Sequence, residues 1–281
     1  MKIRITSDST CDLNNLVEER GIGILPLQVT LDDKSYYDGV NITPTDIFKF
    51  VKETGILPKT SAPSIGDYED FFKAELQAGY DCLIHFNISA KSSGSHNMAK
   101  QAAESFGGKV RVIDSKALST GQGLLVMKAA DLRDEGKSAD EIEEEILALR
   151  AKVNTSFVPD SWDYLHKGGR VSGMVKTVAA MFKIHPLIYM DDGQLVPGKK
   201  YRGKPEFYLK QYVEDLKNQY PEYDKTRCFI THSTADQAFV DAAKEKVAEL
   251  FEFDEVIETV AGSIVTSHCG KNTLGVLFIT K

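Results

Sequence analysis

Short apolar runs alternate with helical patterns through the first half of the chain, and this alternation constrains the fold more than any other feature. Strand-like runs at residues 3–6, 82–88 and 110–113 are separated by helical patterns. Two helices have clear start signals, a Thr-Pro pair at residue 43 and a Ser-x-x-Glu capping box at residue 138. Strands separated by helices of this length predict a mostly parallel sheet with helices on its faces. Helices are predicted at residues 44–54, 65–78, 95–106, 121–135 and 138–152, and a further strand at 24–31.

The second half of the chain has a different pattern, with more strand candidates and a hairpin signal. Asp191-Asp192-Gly193 separates apolar runs at residues 184–190 and 195–196, as expected for a tight β-turn. Helices are predicted at residues 204–218 and 234–251, and further strands at 227–231, 255–260, 264–266 and 274–279. This pattern predicts a second α/β domain with a mixed, partly antiparallel sheet. We place the boundary at residue 158, which gives domains of residues 1–158 and 159–281.

Length and composition exclude several classes of protein. The 281 residues are 42% hydrophobic and 27% charged, which is typical of a globular protein and not of a disordered, collagen-like or coiled-coil chain. The net charge of −7 argues against a nucleic acid or an anionic membrane as the partner. No apolar run approaches the roughly 18 residues of a membrane span, and the N-terminus lacks the apolar stretch of a signal peptide. We therefore expect a cytoplasmic protein with no integral membrane contact.

Polar clusters follow several of the strand-like runs. They are rich in serine, threonine and histidine and begin at Thr6, Ser89, Asp114, Thr231 and Thr266. In open α/β sheets, ligands bind beyond the carboxyl ends of the strands, and a Ser-Gly-Ser sequence at a helix start suits an anion. Each cluster taken singly is also explained by helix capping. Together the clusters favour a polar site at the strand ends.

Sequence motifs of the common enzyme classes are missing. The chain has no Walker A loop, no dinucleotide-binding glycine motif after a strand and no Gly-x-Ser-x-Gly turn. The six histidines lack zinc-site spacing, and the four cysteines form no Cys-x-x-Cys pair, which predicts free thiols. Asp8 and Asp114 follow strands and could bind a metal, but turn-forming or capping roles are more common for such aspartates. We predict no metal site and no cofactor.

Two arginines lie beside glycines. Arg170 follows Gly168-Gly169, where a glycine pair could bring backbone amides and the guanidinium onto a phosphate. A helix that ends at Lys167 with a left-handed glycine cap explains the same residues, and both interpretations can hold because the cap directs Arg170. Arg202 precedes Gly203 and is a weaker case, for which a solvated side chain is the alternative. Both segments are typical of exposed turns.

Taken in order, these motifs resemble those of the DegV family. The similar segments are Thr6–Asp12, Lys59–Ser64, Ile88–Ser95, Val112–Ser115, Leu165–Val171, Tyr201–Gly203 and Thr266–Gly270. Each motif is short, but their ordered set is specific and spans residues 3–280. One departure follows Gly270, where the family usually continues with Pro-Gly and this chain has Lys271-Asn272-Thr273.

The resemblance implies a two-domain protein that binds one long-chain fatty acid non-covalently between its domains and has no catalysis of its own. It also implies a separate fatty acid kinase as partner, because some members present the acid for phosphorylation of its carboxylate. The family's carboxylate-binding positions correspond here to Thr60 or Ser61, to Ser93 with the Gly94 amide, and to His268. A buried carboxylate needs several hydrogen-bond donors, which these groups supply.

Other residues have less specific roles within this resemblance. Arg170 and Arg202 fit phosphate or partner contacts better than acyl contacts. The acyl chain requires an apolar lining. An apolar stripe at helical spacing consists of Met174, Val178, Met181 and Phe182. A tunnel wall and ordinary core packing explain this stripe equally well. Further candidates for the tunnel are Phe157, Ile264 and Leu274.

Two other functions are compatible with the sequence. An enzyme of acyl or phosphoryl transfer could use Ser93 or His268 covalently, although no paired general base for Ser93 and no nucleotide-binding loop are evident. A regulatory or structural protein with an incidental pocket is the second alternative, and an empty, hydrated cleft would favour it.

Overall fold

The computed structural model describes residues 1–161, 163–171 and 184–281. The strands are β1 Ile3–Asp8, β2 Gly23–Leu25, β3 Gln28–Leu31, β4 Lys34–Tyr37, β5 Lys59–Ser61, β6 Cys82–Asn87, β7 Val110–Asp114, β8 Val153–Asn154, β9 Ser156–Val158, β10 Ile184–Asp191, β11 Gln194–Arg202, β12 Tyr223–His232, β13 Glu255–Val260 and β14 Leu274–Thr280. The helices are α1 Leu16–Glu19, α2 Pro44–Thr54, α3 Ile65–Gln77, α4 Ser95–Ala103, α5 Thr120–Asp134, α6 Ala139–Leu149, α7 Asp163–Gly168, α8 Pro205–Gln219, α9 Gln237–Leu250 and α10 Ser263–Cys269.

The first half of the chain forms a four-stranded parallel sheet in the order β2-β1-β6-β7. Every residue of β6 is buried, as expected for a central strand covered on both faces. Helices α3 and α4 pack on one face, where Phe72 and Ala99 belong to the same apolar cluster as Leu83. Helices α5 and α6 cover the other face. The prediction of a mostly parallel, helix-flanked sheet is confirmed.

The second half forms a mixed sheet in the order β11-β10-β9-β14-β12-β13, and β8 also pairs with β14. Strands β12 and β13 are parallel, whereas β14 is antiparallel to β12 and to β9. The predicted hairpin at residues 191–193 joins β10 and β11. Helices α8 and α9 pack against this sheet through Tyr212 and Val240, among others. The predicted mixed sheet is therefore also confirmed.

Helix α5 lies between the two sheets and joins their cores. Its Leu125 belongs to one apolar cluster that includes Phe86 of β6 and Phe229 of β12. Close packing requires glycine at two helix positions: a Cβ at Gly123 would lie 2.7 Å from the carbonyl oxygen of Cys11, and one at Gly121 would meet Thr155. The Gly-Gln-Gly sequence in this helix thus serves helix packing.

Two of the predicted strands were wrong. Residues 24–31, predicted as one strand, are two strands in different sheets: β2 joins the parallel sheet, and β3 forms a small antiparallel sheet in the order β4-β3-β5. Pro26 lies between them and has no N–H for a ladder hydrogen bond. Residues 264–266, predicted as a strand, lie in α10, because a short apolar run does not distinguish a strand from a buried helix.

Strands β8 and β9 bear on the domain boundary. The division at residue 158 stays a prediction, and both strands before that residue pair within the second sheet. We therefore propose that the boundary precedes Val153. The predicted stripe of Met174, Val178, Met181 and Phe182 lies outside the described residues. Within the described ranges of the chain, no helix combines the length and apolar character needed to cross a bilayer.

Candidate ligand-binding cavity

Two strand-end aspartates shape the loop that follows β6. Asp8 ends β1, and its Oδ2 accepts a hydrogen bond from the Ile88 amide at 2.9 Å. Asp114 ends β7, and its Oδ1 accepts one from the Ala90 amide at 3.1 Å. Because parallel strands end at one edge of a sheet, both carboxyl groups can reach the same loop. Asp8 also caps the helical turn at Ser9–Cys11, and Asp114 accepts a hydrogen bond from the Lys116 amide, so the predicted capping or turn-forming roles are confirmed. The loop that both aspartates hold leads to Ser93 and Gly94 at the start of α4.

Asp8 is fully buried and its hydrogen bonds are extensive. Its Oδ1 accepts from the Thr10 amide and hydroxyl and from Gln122 Nε2, and its Oδ2 also accepts from Asn87 Nδ2. Burial raises the pKa of Asp8, while these hydrogen bonds act in the opposite direction. The donors occupy both carboxylate oxygens, so the geometry is that of a structural anchor.

His268 reaches the same region from the far end of the sequence. It lies on α10, whose first amides donate to two buried carboxylates: Gly262 N to Asp12 at 2.8 Å, and Ser263 N to Asp38 at 2.6 Å. His268 Nε2 lies 2.8 Å from the Thr60 hydroxyl on β5. A strand of the small sheet and a helix of the second half therefore bring their polar side chains together.

The His268 ring is held in its neutral form. Burial lowers the pKa of His268 to about 4, and the positive charge of Arg170 acts in the same direction. Among the described residues, the buried Nδ1 atom has no hydrogen-bond partner. Gly168 packs against this side of the ring, since a Cβ at Gly168 would lie 2.9 Å from Nδ1. A glycine at position 168 leaves the space that the imidazole occupies.

These segments line a cavity of about 310 Å³. All five residues predicted to bind a carboxylate line it, namely Thr60, Ser61, Ser93, Gly94 and His268. The rest of the lining is largely apolar and comes from both halves of the chain, with Leu27, Ile88, Leu118, Leu165, Leu195, Ile264 and Val265. Polar and apolar side chains thus share one partly open cavity, and we call the part lined by the hydrogen-bonded Thr60 and His268 its polar end. The carboxylate-binding role of the five residues stays a prediction.

A smaller cavity of about 30 Å³ lies beside the first. The two share Leu118, Val265 and Cys269 as lining residues. Phe157 lines the smaller cavity and Ile264 the larger one, whereas Leu274 packs in the core beneath α8 and α9. Two of the three further tunnel candidates therefore lie at these cavities.

A basic groove of about 460 Å³ adjoins the polar end of the cavity. It shares Thr60, Arg170 and His268 with the cavity and adds Lys59 and Lys167. The predicted glycine cap is confirmed by Gly169, which directly follows α7 and has a left-handed φ of +66°. The guanidinium of the exposed Arg170 donates a hydrogen bond to the carbonyl oxygen of Gly168, the last residue of α7, at 2.5 Å.

Arg202 is not a member of this arrangement. It is exposed, lines neither cavity and is the last residue of β11, so its prediction as a turn residue was wrong. Sequence reasoning also missed Asp12 and Asp38 as anchors of α10. Asp12 belongs to the motif that begins at Thr6, which offered a signal, but nothing local in the sequence relates Asp38 to that helix.

The fold and cavity define a class of protein: α/β proteins with two large sheets and a cavity lined by both hydrogen-bond donors and apolar side chains. A family model described as "Uncharacterised protein, DegV family" matches residues 2–281, and the chain belongs to the DegV family. A DegV domain-containing protein of Clostridium acetobutylicum is 32% identical, with 100% of this chain and 99% of the relative covered.

Solved structures show the same similarity. A DegV family protein from Thermus thermophilus, described for its fatty acid binding, has a TM-score of 0.92 at 28% identity, with 100% of both chains covered. DegV of Bacillus subtilis, described as a fatty acid binding protein, has a TM-score of 0.86 at 26% identity, again with 100% of both chains covered.

Proposed function

We propose that this protein binds a long-chain fatty acid non-covalently in the cavity and presents its carboxylate to a separate fatty acid kinase. One observation carries the proposal: polar residues from three distant segments line one cavity together with many apolar side chains. Its volume of about 310 Å³ is near the lower end of the roughly 300–1,000 Å³ typical of small-molecule sites. The fatty acid binding described for two structural relatives is consistent with such a lining.

The polar end suits a carboxylate. Hydroxyl groups of Thr60 and Ser93 can donate hydrogen bonds, and the N-terminus of α4 adds a partial positive charge beside Gly94. A neutral imidazole at His268 can donate from one nitrogen without carrying a charge. Several such donors offset the large cost of removing a carboxylate from water.

Covalent catalysis is less well supported by the same geometry. The Ser93 hydroxyl lies 2.9 Å from the Ser95 hydroxyl, which is not a general base. Thr60 does contact an imidazole, but His268 Nδ1 lacks an orienting partner among the described residues. A nucleophile and base normally need such a third group to fix the ring. These contacts support a binding protein over an acyl-transfer enzyme.

The basic groove supports presentation to a kinase. In that reaction the kinase would transfer the γ-phosphoryl group of ATP to a carboxylate oxygen, giving an acyl phosphate and ADP. Cations at Lys59, Lys167 and Arg170 border the polar end of the cavity, where they could contact the transferred phosphate or the partner. Arg202 is proposed as a contact for the partner alone.

Mass spectrometry tests the proposal directly. Protein purified from cells containing free fatty acid should release one long-chain acid per chain on denaturing extraction. The delipidated protein should bind palmitate in a calorimetric titration with one site. A protein that yields no acid and shows no heat of binding would contradict the proposal, and a covalent adduct in the intact mass would favour the enzyme alternative.

Replacing Ser93 with alanine should weaken fatty acid binding while the fold is retained. Loss of one hydroxyl donor to a buried carboxylate costs about 1.5–3 kcal/mol, or roughly ten- to a hundredfold in affinity. The measurement is the palmitate dissociation constant of the delipidated variant. Ser105→Ala removes an exposed serine beyond α4 and should bind as the wild type does. An unchanged affinity in the folded Ser93 variant would show that this hydroxyl does not contact the carboxylate.

Replacing Arg202 with alanine should leave fatty acid affinity within about twofold but slow acyl-phosphate formation by an added kinase. The side chain is exposed and lines neither cavity, and charges at the rim of an interface chiefly affect association. Palmitate titration and a phosphorylation assay separate the two effects. Lys73→Ala, an exposed lysine on α3, is the control for loss of a surface charge. Loss of palmitate binding in a folded Arg202 variant would move this residue into the carboxylate site.

A further inference from the structure

The tip of the β10–β11 hairpin is fastened to the first half of the chain by polar contacts. Asp192 forms ion pairs with Lys91 at 2.9 Å and with Lys116 at 2.5 Å. Beside them, the Ser89 hydroxyl donates a hydrogen bond to the Gly193 carbonyl at 2.6 Å. The tip sits tightly on the loop, because a Cβ at Gly193 would lie 2.6 Å from the Ser89 oxygen. We call this set of contacts the hairpin latch.

The hairpin latch joins two segments that each contribute residues to the cavity lining. Ser89 and Lys91 belong to the loop that carries Ser93 and Gly94. On the other side of the latch, Leu195 of β11 lines the cavity and packs in the same apolar cluster as Leu118. Movement of the tip away from the loop would therefore open the cavity between walls that come from different halves of the chain.

The chemistry of the hairpin latch suits reversible opening. The side chain of Asp192 is 63% exposed, and its two lysine partners are 50% and 34% exposed. Exposed ion pairs are weak and are screened by salt. The two lysines lower the pKa of Asp192 to about 2, so the carboxylate keeps its charge through the neutral range. These contacts can hold the hairpin tip against the loop and still break readily.

We propose that Asp192 is a positioning residue that holds this wall closed and thereby sets the rate at which the ligand enters and leaves. The proposal rests on the proposed function, because it takes the long-chain fatty acid as the ligand. The carboxylate of Asp192 acts through the Ser89–Gly94 loop and makes no contact with the acid itself. Both entry and exit require the wall to open, so weakening the latch should accelerate both.

The turn geometry provides a variant that changes the charge alone. Asp192 and Gly193 have φ values of 42° and 82°, as in a type I′ turn. Asn-Gly is a preferred sequence for this turn, so Asp192→Asn removes the negative charge and retains the hairpin. A thermal unfolding midpoint equal to that of the wild type would verify this for the full chain.

Stopped-flow transfer of a fluorescent C16 fatty acid from the loaded protein to excess albumin measures the exit rate. We expect Asp192→Asn to release the acid about three- to tenfold faster, because two exposed ion pairs are lost. The equilibrium affinity should change by less than about twofold, since entry accelerates as well. Release from the wild type should accelerate with added salt, whereas the variant should respond little. This salt dependence is a readout that a purely structural residue would not affect.

Two further variants complete the test. Lys91→Met combined with Lys116→Met should reproduce the faster release, and adding Asp192→Asn to that pair should bring no further change. Glu245→Gln removes an exposed ion pair with Lys210 inside the second half and should leave release unchanged.

Equal, salt-independent release from the wild type and Asp192→Asn would overturn the hairpin latch while leaving the proposed function intact. Absence of any fatty acid binding by the wild type would instead contradict the proposed function, and it would contradict the role of the hairpin latch as well. Faster release from the Glu245→Gln control would also overturn the latch, because surface charge in general would then explain the effect.

Discussion

Replacing Asp8 with alanine is expected to lower the free energy of unfolding by about 4 kcal/mol, because it leaves several buried donors without an acceptor. The carboxylate is fully buried and accepts hydrogen bonds from Thr10, Gln122, Asn87 and the Ile88 amide. The alanine side chain does not fill the space of the carboxylate and accepts no hydrogen bonds. Urea unfolding of the delipidated protein at neutral pH measures the loss.

Two further variants separate this effect from the general loss of a carboxylate. Asp241→Ala removes an exposed aspartate on α9 and should change stability by less than about 0.5 kcal/mol. Asp8→Asn retains the shape of the side chain, but its NH2 group faces donors from which the carboxylate accepts hydrogen bonds. This variant should therefore be less stable than the wild type and still fold. Because the Ile88 amide leads into the Ser93 loop, this variant should also bind palmitate more weakly. Wild-type stability in both Asp8 variants would contradict the anchor role.

The sequence predicted most of the helices because their start signals are local. The Thr43, Ser64 and Ser138 caps all form reciprocal capping boxes, so each helix begins where its own residues place it. Strand β6 was predicted from an apolar run that a parallel sheet buries completely. The small antiparallel sheet was not predicted, because β4 and β5 have little apolar periodicity and pair only through β3.

The candidate site was only partially predictable for a related reason. The resemblance supplied Thr60 and His268, but no local pattern places residues 208 positions apart within hydrogen-bond distance. The predicted strand at residues 264–266 would have put His268 at a strand end, whereas it lies on a short helix. The position of that helix is set by Asp12 and Asp38, which accept from its first amides. Tertiary contacts therefore decide the geometry that the motifs only suggest.

His268 should make the delipidated protein less stable as the pH falls from 6.5 toward 4. The imidazole titrates near 6.5 in the unfolded chain, whereas burial and the charge of Arg170 lower the folded-state pKa to about 4. Between these values the unfolded chain binds more protons, so stability rises with pH in this window and is lost as pH falls. At pH 5 the loss from this residue should be about 2 kcal/mol relative to neutral pH.

Comparison of His268→Gln with the wild type isolates this contribution. Glutamine can keep the hydrogen bond to Thr60 and cannot titrate, so the variant should lose about 2 kcal/mol less between pH 7 and pH 5. His85 adds a loss of the same sign in both proteins, because burial lowers its pKa to about 3. His166→Gln removes an exposed histidine and is the control for the His-to-Gln substitution itself. Equal acid losses in wild type and His268→Gln would exclude His268 as a source of the pH dependence.

The same titration reports on the ligand. A fatty acid carboxylate beside His268 would favour the charged imidazolium and raise the pKa of the ring. The palmitate-loaded wild type should then lose less stability at pH 5 than the delipidated wild type. In His268→Gln, loading should leave the acid loss unchanged, because no imidazole remains to respond. A difference between the two proteins would therefore place the carboxylate next to His268, independently of any change in affinity.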